Sequence, residues 1–200
     1  MMNEVLAFNR WPTTHIKVED PGLERYITTK PVFVPKTGAR YAGYRFYKSK
    51  VFIIERLLNK MMIPGHKGKK HKISSGHCSG KATTLYKIME KALEIVERKT
   101  KKNPIEVFVK AIENAATREE IITIEYGGAR YPKAVESSPQ RRIDLVLRLM
   151  VQGAYEKTFS SKRKIQDCIA DEIINAFMLS PNSLAITKKL ETERQADSSR

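Results

Sequence analysis

Apolar positions recur along this chain with two different periods, and the change of period marks its elements. KATTLYKIMEKALEIVERKT, residues 81–100, places Leu85, Ile88, Met89, Ala92, Leu93 and Val96 three and four apart, one face of an amphipathic helix. Glu94 and Arg98 lie four apart on its polar side and are expected to pair. Asn103 then precedes Pro104, an N-cap followed by a residue suited to the first helical position. A shorter helix is expected there, burying Ile105, Phe108, Val109, Ile112 and Ala116 and ending near Thr117.

The same period appears on either side. From about Gly43 to Ile63, Val51, Ile54, Leu58 and Met61 form a stripe that stops at Pro64-Gly65. Downstream, Ser138-Pro139 is expected to cap a helix with Ile143, Val146, Leu147, Met150 and Ala154 inward. Ile165, Cys168, Ile169, Ile173 and Ala176 mark the next, ending before Pro181. From Ser183 the chain is helix-compatible with a thin stripe of Leu184 and Leu190, which suits a helix resting on the domain or on a partner.

Between these helices the period falls to two. In EEIITIEYGGARYPKAVE, Ile122, Ile124 and Tyr126 alternate with Thr123 and Glu125. Gly127 and Gly128 supply the positive φ of a tight turn, so a β-ribbon is expected at about 119–136. Pro132 removes a ladder donor and makes the return strand an edge. A lone ribbon needs a cover, and RNA is a candidate for it. Residues 1–42 show no sustained period and hold Pro12, Pro21, Pro31 and Pro35, which reads as an extended N-terminal arm wrapped on a surface. Phe8 and Trp11 are expected to anchor that arm. The expected fold is mainly α: one helical domain of about six helices over 43–200, a protruding two-stranded β-hairpin, and the arm.

Charge sharpens this picture. Lys and Arg number 37 against 22 acids, a net +15, so a polyanionic partner is expected. Between Lys36 and Lys72 there are eleven basic residues and one acid, Glu55, so a local +10 out of +15 lies in one stretch. A solvated charge run has mixed signs; this one does not. Its candidates for phosphate contact are Lys36, Arg40, Arg45, Lys48, Lys50, Lys67, Lys69, Lys70 and Lys72. Arg141 and Arg142 pose a separate question, because the first turn of a helix carries free N–H groups and positive dipole and disfavours cations. A bound phosphate resolves it: the helix start and both arginines then converge on one anion. Arg130, Tyr131 and Lys133 on the ribbon add charge and a stacking face.

Other chemistries fit poorly. Gly76–Lys81 has three residues between its glycines and Ala82 after the lysine, where a phosphate loop needs four and a hydroxyl. His66, His71, His77 and Cys78 lack the paired spacing of a zinc site, so no metal or cofactor is expected. His15 stands apart from them and the acids are scattered, leaving no catalytic constellation; an enzyme is not expected. Cys168 sits on an apolar stripe as a small core residue, and Met61-Met62 also reads as core. Two cysteines, no signal peptide and no run of 18 apolar residues favour a cytoplasmic protein with no membrane partner. A helix-turn-helix-like DNA-binding regulator is the alternative that charge and short helices leave open.

GGARYPKAVESSPQRR resembles the hairpin and helix start of the small-subunit ribosomal protein seven family. PVFVPKTGARYAGYRF, IIERLLNKMM, LMVQGA, IADEIINAF and SLAITKKLETERQADSSR resemble the same family in the same order, over about residues 8–200. RWPTTHIKVEDPGLERYI and the Ser-Ser-Arg ending are similar to its archaeal and eukaryotic branch, and PVFVPKTGAR to the archaeal form. Lys133 and Ser137 stand where that family commonly has apolar ribbon residues. The resemblance implies a non-enzymatic constituent of the small ribosomal subunit, not a homo-oligomer, that binds the 3′ major (head) domain of small-subunit rRNA and supports head assembly. It implies neighbouring head proteins and ribosomal protein eleven as partners. Gly127, Gly128, Arg130 and Tyr131 would form the hairpin tip, near the mRNA exit channel and exit-site tRNA, with Arg141 and Arg142 as rRNA contacts.

Overall fold

The period-3.6 stripes become helices packed round one core. The computed structural model of the chain describes residues 5–63 and 81–200. Among them are seven α-helices and one hairpin: α1 (Pro21–Glu24), α2 (Ile53–Met61), α3 (Ala82–Thr100), α4 (Pro104–Ala115), β1 (Glu119–Tyr126), β2 (Ala129–Glu136), α5 (Pro139–Thr158), α6 (Ile165–Phe177) and α7 (Leu184–Asp197). The mainly α expectation holds. The helix missed by periodicity is α1, a single turn whose N-terminus Asp20 caps by accepting from Gly22 N at 2.8 Å.

Helix α6 is the centre, in contact with α3, α4, α5 and α7. Its Cys168, Ala170 and Ala176 are fully buried, and small residues there let four helices approach it. Met89, Leu93 and Val96 of α3, Phe108 and Ile112 of α4, and Ile143 and Leu147 of α5 complete the centre. The N-terminal stretch adds Ala7, Trp11, Ile16, Leu23 and Ile27 to the same core. Phe8 stacks on Tyr86 with centroids 4.4 Å apart and meets Trp11 edge-on, so both aromatics act as anchors. Asn103 caps α4 as expected, accepting from Ile105 N at 3.0 Å, and its Nδ2 also donates to Pro12 O at 2.7 Å.

Four local expectations need correction. The helix expected from Gly43 starts at Ile53, because Gly43 is left-handed at φ 91° and Phe52 is extended, bridging Thr28; a 3-10 turn, Tyr47–Lys50, fills the gap. Glu94 pairs with Arg10 of the N-terminal stretch rather than with Arg98. Ser138 precedes α5 but its hydroxyl makes no cap bond. On α7 the inward residues are Ala185, Ile186 and Ala196, while Leu190 is exposed.

The hairpin pairs in one antiparallel register, from Glu119 opposite Glu136 to Tyr126 opposite Ala129. Its two-residue turn has Gly127 at φ 58° and Gly128 at φ 80°, the two positive values of a type I′ turn, whose twist matches the strands. Helix α7 covers the base of the ribbon, and residues 122–133 stand exposed on both faces.

Candidate nucleic-acid interface

Residues 31–52 connect the N-terminal stretch to α2 as a series of turns, and Glu55 ties them down. This carboxylate is buried on α2 and accepts from Thr37 N at 2.7 Å. The tether lifts a loop that exposes Phe33 (87%), Val34, Tyr44 and Phe46. Lys36, Arg40, Arg45 and Lys50 are exposed on the same loop, and Lys50 Nζ lies 5.1 Å over the Tyr47 ring. An open groove of about 770 Å³ is lined here by Lys36, Arg40, Tyr41, Tyr44, Tyr47 and Lys50, among others. Exposed cations interleaved with exposed aromatic rings, with Lys50 at cation–π distance from Tyr47, suit a chain of phosphates with unstacked bases. Of the five loop cations, Lys48 alone has an ion-pair partner among the described residues.

That partner is Asp144 on α5. Lys48 Nζ bonds one carboxylate oxygen, and Arg56 Nη2 donates to the other at 3.1 Å. Arg56 is buried on α2, and its Nη1 donates to Tyr26 O at 2.9 Å. Burial pushes the Asp144 carboxyl up, but the hydrogen bond from Lys48 and the charges of Arg56, Lys48 and Lys60 hold it net below the usual carboxylate range.

The two arginines at the start of α5 take different places. Arg141 is 62% exposed and grips Glu120 of β1 with two groups, Nε at 2.9 Å and Nη2 at 2.6 Å from the same oxygen. Burial pushes the Glu120 carboxyl up, yet its bonds to Arg141 leave it net lowered. Arg142 is 13% exposed and turns inward to Asp20, Nη2 to Oδ2 at 3.1 Å; its Nε has no partner. The helix start therefore shows one cation to solvent and keeps the other as an internal tie.

The tip residues Gly127, Gly128, Arg130 and Tyr131 stand at the far end of the ribbon with Tyr126, which is 81% exposed. Arg130 lies 3.5 Å from Glu125, both side chains in solvent. Lys133 pairs with Ile122 in register without distorting the ladder, so the polar residue is accommodated on an open face. Lys67, Lys69, Lys70 and Lys72, the zinc-like His66, His71, His77 and Cys78, and most of the Gly76–Lys81 loop lie outside the described residues. Among the described residues no group of three His, Cys, Asp or Glu could hold a metal ion, and no helix is long and apolar enough to cross a membrane.

Sequence reading alone did not single out Lys60 and Arg148. Both border the Asp144 cluster: Lys60 lines the cleft beside it, and Arg148 follows it by one turn on α5. The available signal was spacing, since Arg141, Asp144 and Arg148 recur three and four apart on one face of α5.

A sequence profile described as "Ribosomal protein S7p/S5e" matches residues 23–200. The protein named "Small ribosomal subunit protein uS7" of Nanoarchaeum equitans (strain Kin4-M) is 53% identical over 193 residues, 96% of this chain and 98% of that protein. Its namesake in Archaeoglobus fulgidus is 45% identical over 197 residues, 98% of this chain and 96% of that protein. The one in Methanothermobacter thermautotrophicus is 44% identical over 193 residues, 96% and 98% respectively.

Proposed function

Since the chain belongs to the ribosomal protein S7p/S5e family, small-subunit proteins and not enzymes, we propose that it binds the 3′ major (head) domain of small-subunit rRNA. It is a protein of the small ribosomal subunit in the cytoplasm, of the archaeal-like branch. It acts by neutralising phosphates and fitting folded RNA, and so supports assembly of the head. The observation that carries this reading is the tethered loop, where Lys36, Arg40, Arg45 and Lys50, without ion-pair partners among the described residues, are interleaved with exposed Phe33, Tyr44 and Phe46. Lys48 and Arg141 extend that surface toward α5, with the charge of Arg142 behind them. Lys67, Lys69, Lys70 and Lys72 belong to the same proposal by sequence. The hairpin, with Gly127, Gly128, Arg130 and Tyr131 at its tip, is proposed to lie near the mRNA exit channel and exit-site tRNA, beside ribosomal protein eleven and neighbouring head proteins. The protein acts as a single copy.

Filter binding tests this. A transcribed head-domain rRNA fragment should compete far better than duplex DNA of equal length, with a steep loss of affinity as KCl rises. The Arg40→Glu, Arg45→Glu, Lys50→Glu triple variant should lose that preference. Equal affinity for duplex DNA would favour a DNA-binding regulator and sink the ribosomal assignment of this surface.

A further inference from the structure

A cleft of about 200 Å³ opens between the 41–51 segment, α2 and α5, lined by Tyr41, Lys48, Arg56, Asn59, Lys60 and Asp144, among others. Asp144 is the carboxylate at its centre and is held from two sides, by Lys48 and by Arg56. The two holders are not equivalent. Arg56 is buried and fixed by a second bond to the Tyr26 carbonyl at 2.9 Å. Lys48 starts from a one-turn 3-10 segment, and its side chain keeps 35% exposure. An ammonium on a flexible stem can exchange one oxygen partner for another, whereas a doubly bonded guanidinium stays in place.

Lys60 borders the same cleft and has no ion pair among the described residues, and Arg148 lies one turn beyond Asp144. Three cations, Lys48, Arg56 and Lys60, thus face one carboxylate, a surplus of two charges, and Arg148 adds its charge at Lys60. Burial lowers the Lys60 pKa; Asp144 opposes this, and Lys48, Arg148 and Arg56 lower it further. An incoming anion relieves that repulsion, and a singly charged phosphodiester with two free oxygens matches the two ammonium groups.

We propose that this cleft is a seat for one RNA backbone phosphate, which Asp144 fills in the free protein: the phosphate takes Lys48 from Asp144 and joins Lys60, while Asp144 stays with Arg56. The proposal rests on the RNA-binding reading above and adds to it a carboxylate that competes with the ligand. Asp144 then has two effects. It keeps the cations ordered before binding, and it subtracts from affinity for any polyanion that cannot displace it.

Filter binding of the full chain to the transcribed head-domain rRNA fragment, across a KCl series, tests it. Lys48→Gln and Lys60→Gln should each weaken binding about three- to tenfold and reduce the magnitude of the log–log salt slope by about one. Asp144→Asn should tighten binding by about threefold in the wild-type background and change nothing in a Lys48→Gln background. A looser Asp144→Asn complex, or an equal gain with and without Lys48, overturns the exchange. If Asp144→Asn does not fold by circular dichroism, the two lysine slopes decide alone: wild-type slopes in both remove the seat. Wild-type protein that fails to bind the fragment sinks the RNA reading itself, a distinct outcome.

Discussion

Arg142 and Asp20, 122 residues apart in the chain, meet through one Nη2···Oδ2 contact of 3.1 Å that joins the start of α5 to the cap of α1. Asp20 thus serves two elements, accepting from Gly22 N on one oxygen and from Arg142 on the other. The neighbouring Arg141 is itself 62% exposed and holds Glu120, whose side chain is 15% exposed, from the solvent side.

The adjacent arginines should therefore separate in a stability measurement. Arg142→Ala leaves Asp20 without its cation in a half-buried place and should cost about 1–3 kcal/mol. Arg141→Ala removes a cation that is 62% exposed, which water can largely replace, and should cost about 1 kcal/mol or less. Urea unfolding of both variants checks the difference, and equal losses would contradict the inward placement of Arg142. RNA affinity should show the reverse order, with Arg141→Ala the weaker binder.

The docking of α7 depends on Gly153 and Glu172. Glu172 is fully buried and accepts from Ser183 Oγ at 2.8 Å, from Leu184 N at 2.7 Å and from Lys157 Nζ at 2.6 Å, so a carboxylate of α6 caps the start of α7. A Cβ on Gly153 would stand 2.9 Å from Leu184 Cβ and 3.1 Å from Glu172 Oε1. Alanine normally gains about 1 kcal/mol over glycine inside a helix. Here the crowding should outweigh that, so Gly153→Ala should destabilise by about 1–3 kcal/mol, with early loss of amide protection in α7. A neutral or stabilised Gly153→Ala would show that Leu184 can move aside freely.

These two ties explain where sequence reading stopped. The helices α3 to α6 and the hairpin were legible because each repeats its own period, and Asn103-Pro104 and Gly127-Gly128 are local chemistry. The α7 stripe was misread because its attachment rests on small residues and a polar cap: Ala185 and Ala196 face in beside Ile186, Glu172 caps the start, and Leu190 faces out. The start of α2 was misplaced because Thr28, far upstream, fixes Phe52 in an extended bridge. At the interface, the exposed cations of the 36–50 loop were legible from a charge run without acids. Arg142 was not, since its partner lies at the other end of the chain, nor was the cluster round Asp144, assembled from three elements.

Acid should reveal Asp144. Its carboxyl is held below the ordinary value of about 3.9, so its contribution to stability is complete above that pH and is lost as pH falls through the depressed folded value. Wild type should exceed Asp144→Asn in unfolding free energy at pH 7, and the gap should narrow progressively as pH falls below about 4. A gap that stays constant or widens on acidification would mean that the carboxylate charge is not what Arg56 and Lys48 stabilise.

The turn at Gly127-Gly128 offers a change that should alter the hairpin and leave the domain intact. Both residues have positive φ, at 58° and 80°, and open space around their Cα atoms, so alanine there meets backbone strain and no clash. That strain is about 1–2 kcal/mol for an L residue, and the ribbon beyond residue 122 has no cover to offset it. Gly127→Ala should therefore release the amide protection of Thr123 to Tyr131, while the urea midpoint of the whole chain moves little, because the core ends at the ribbon base. Gly127→Asn, which tolerates the left-handed region, should restore part of the protection. A global loss as large as the local one would instead place the hairpin inside the cooperative unit, and its outer half would then need a partner surface on the domain.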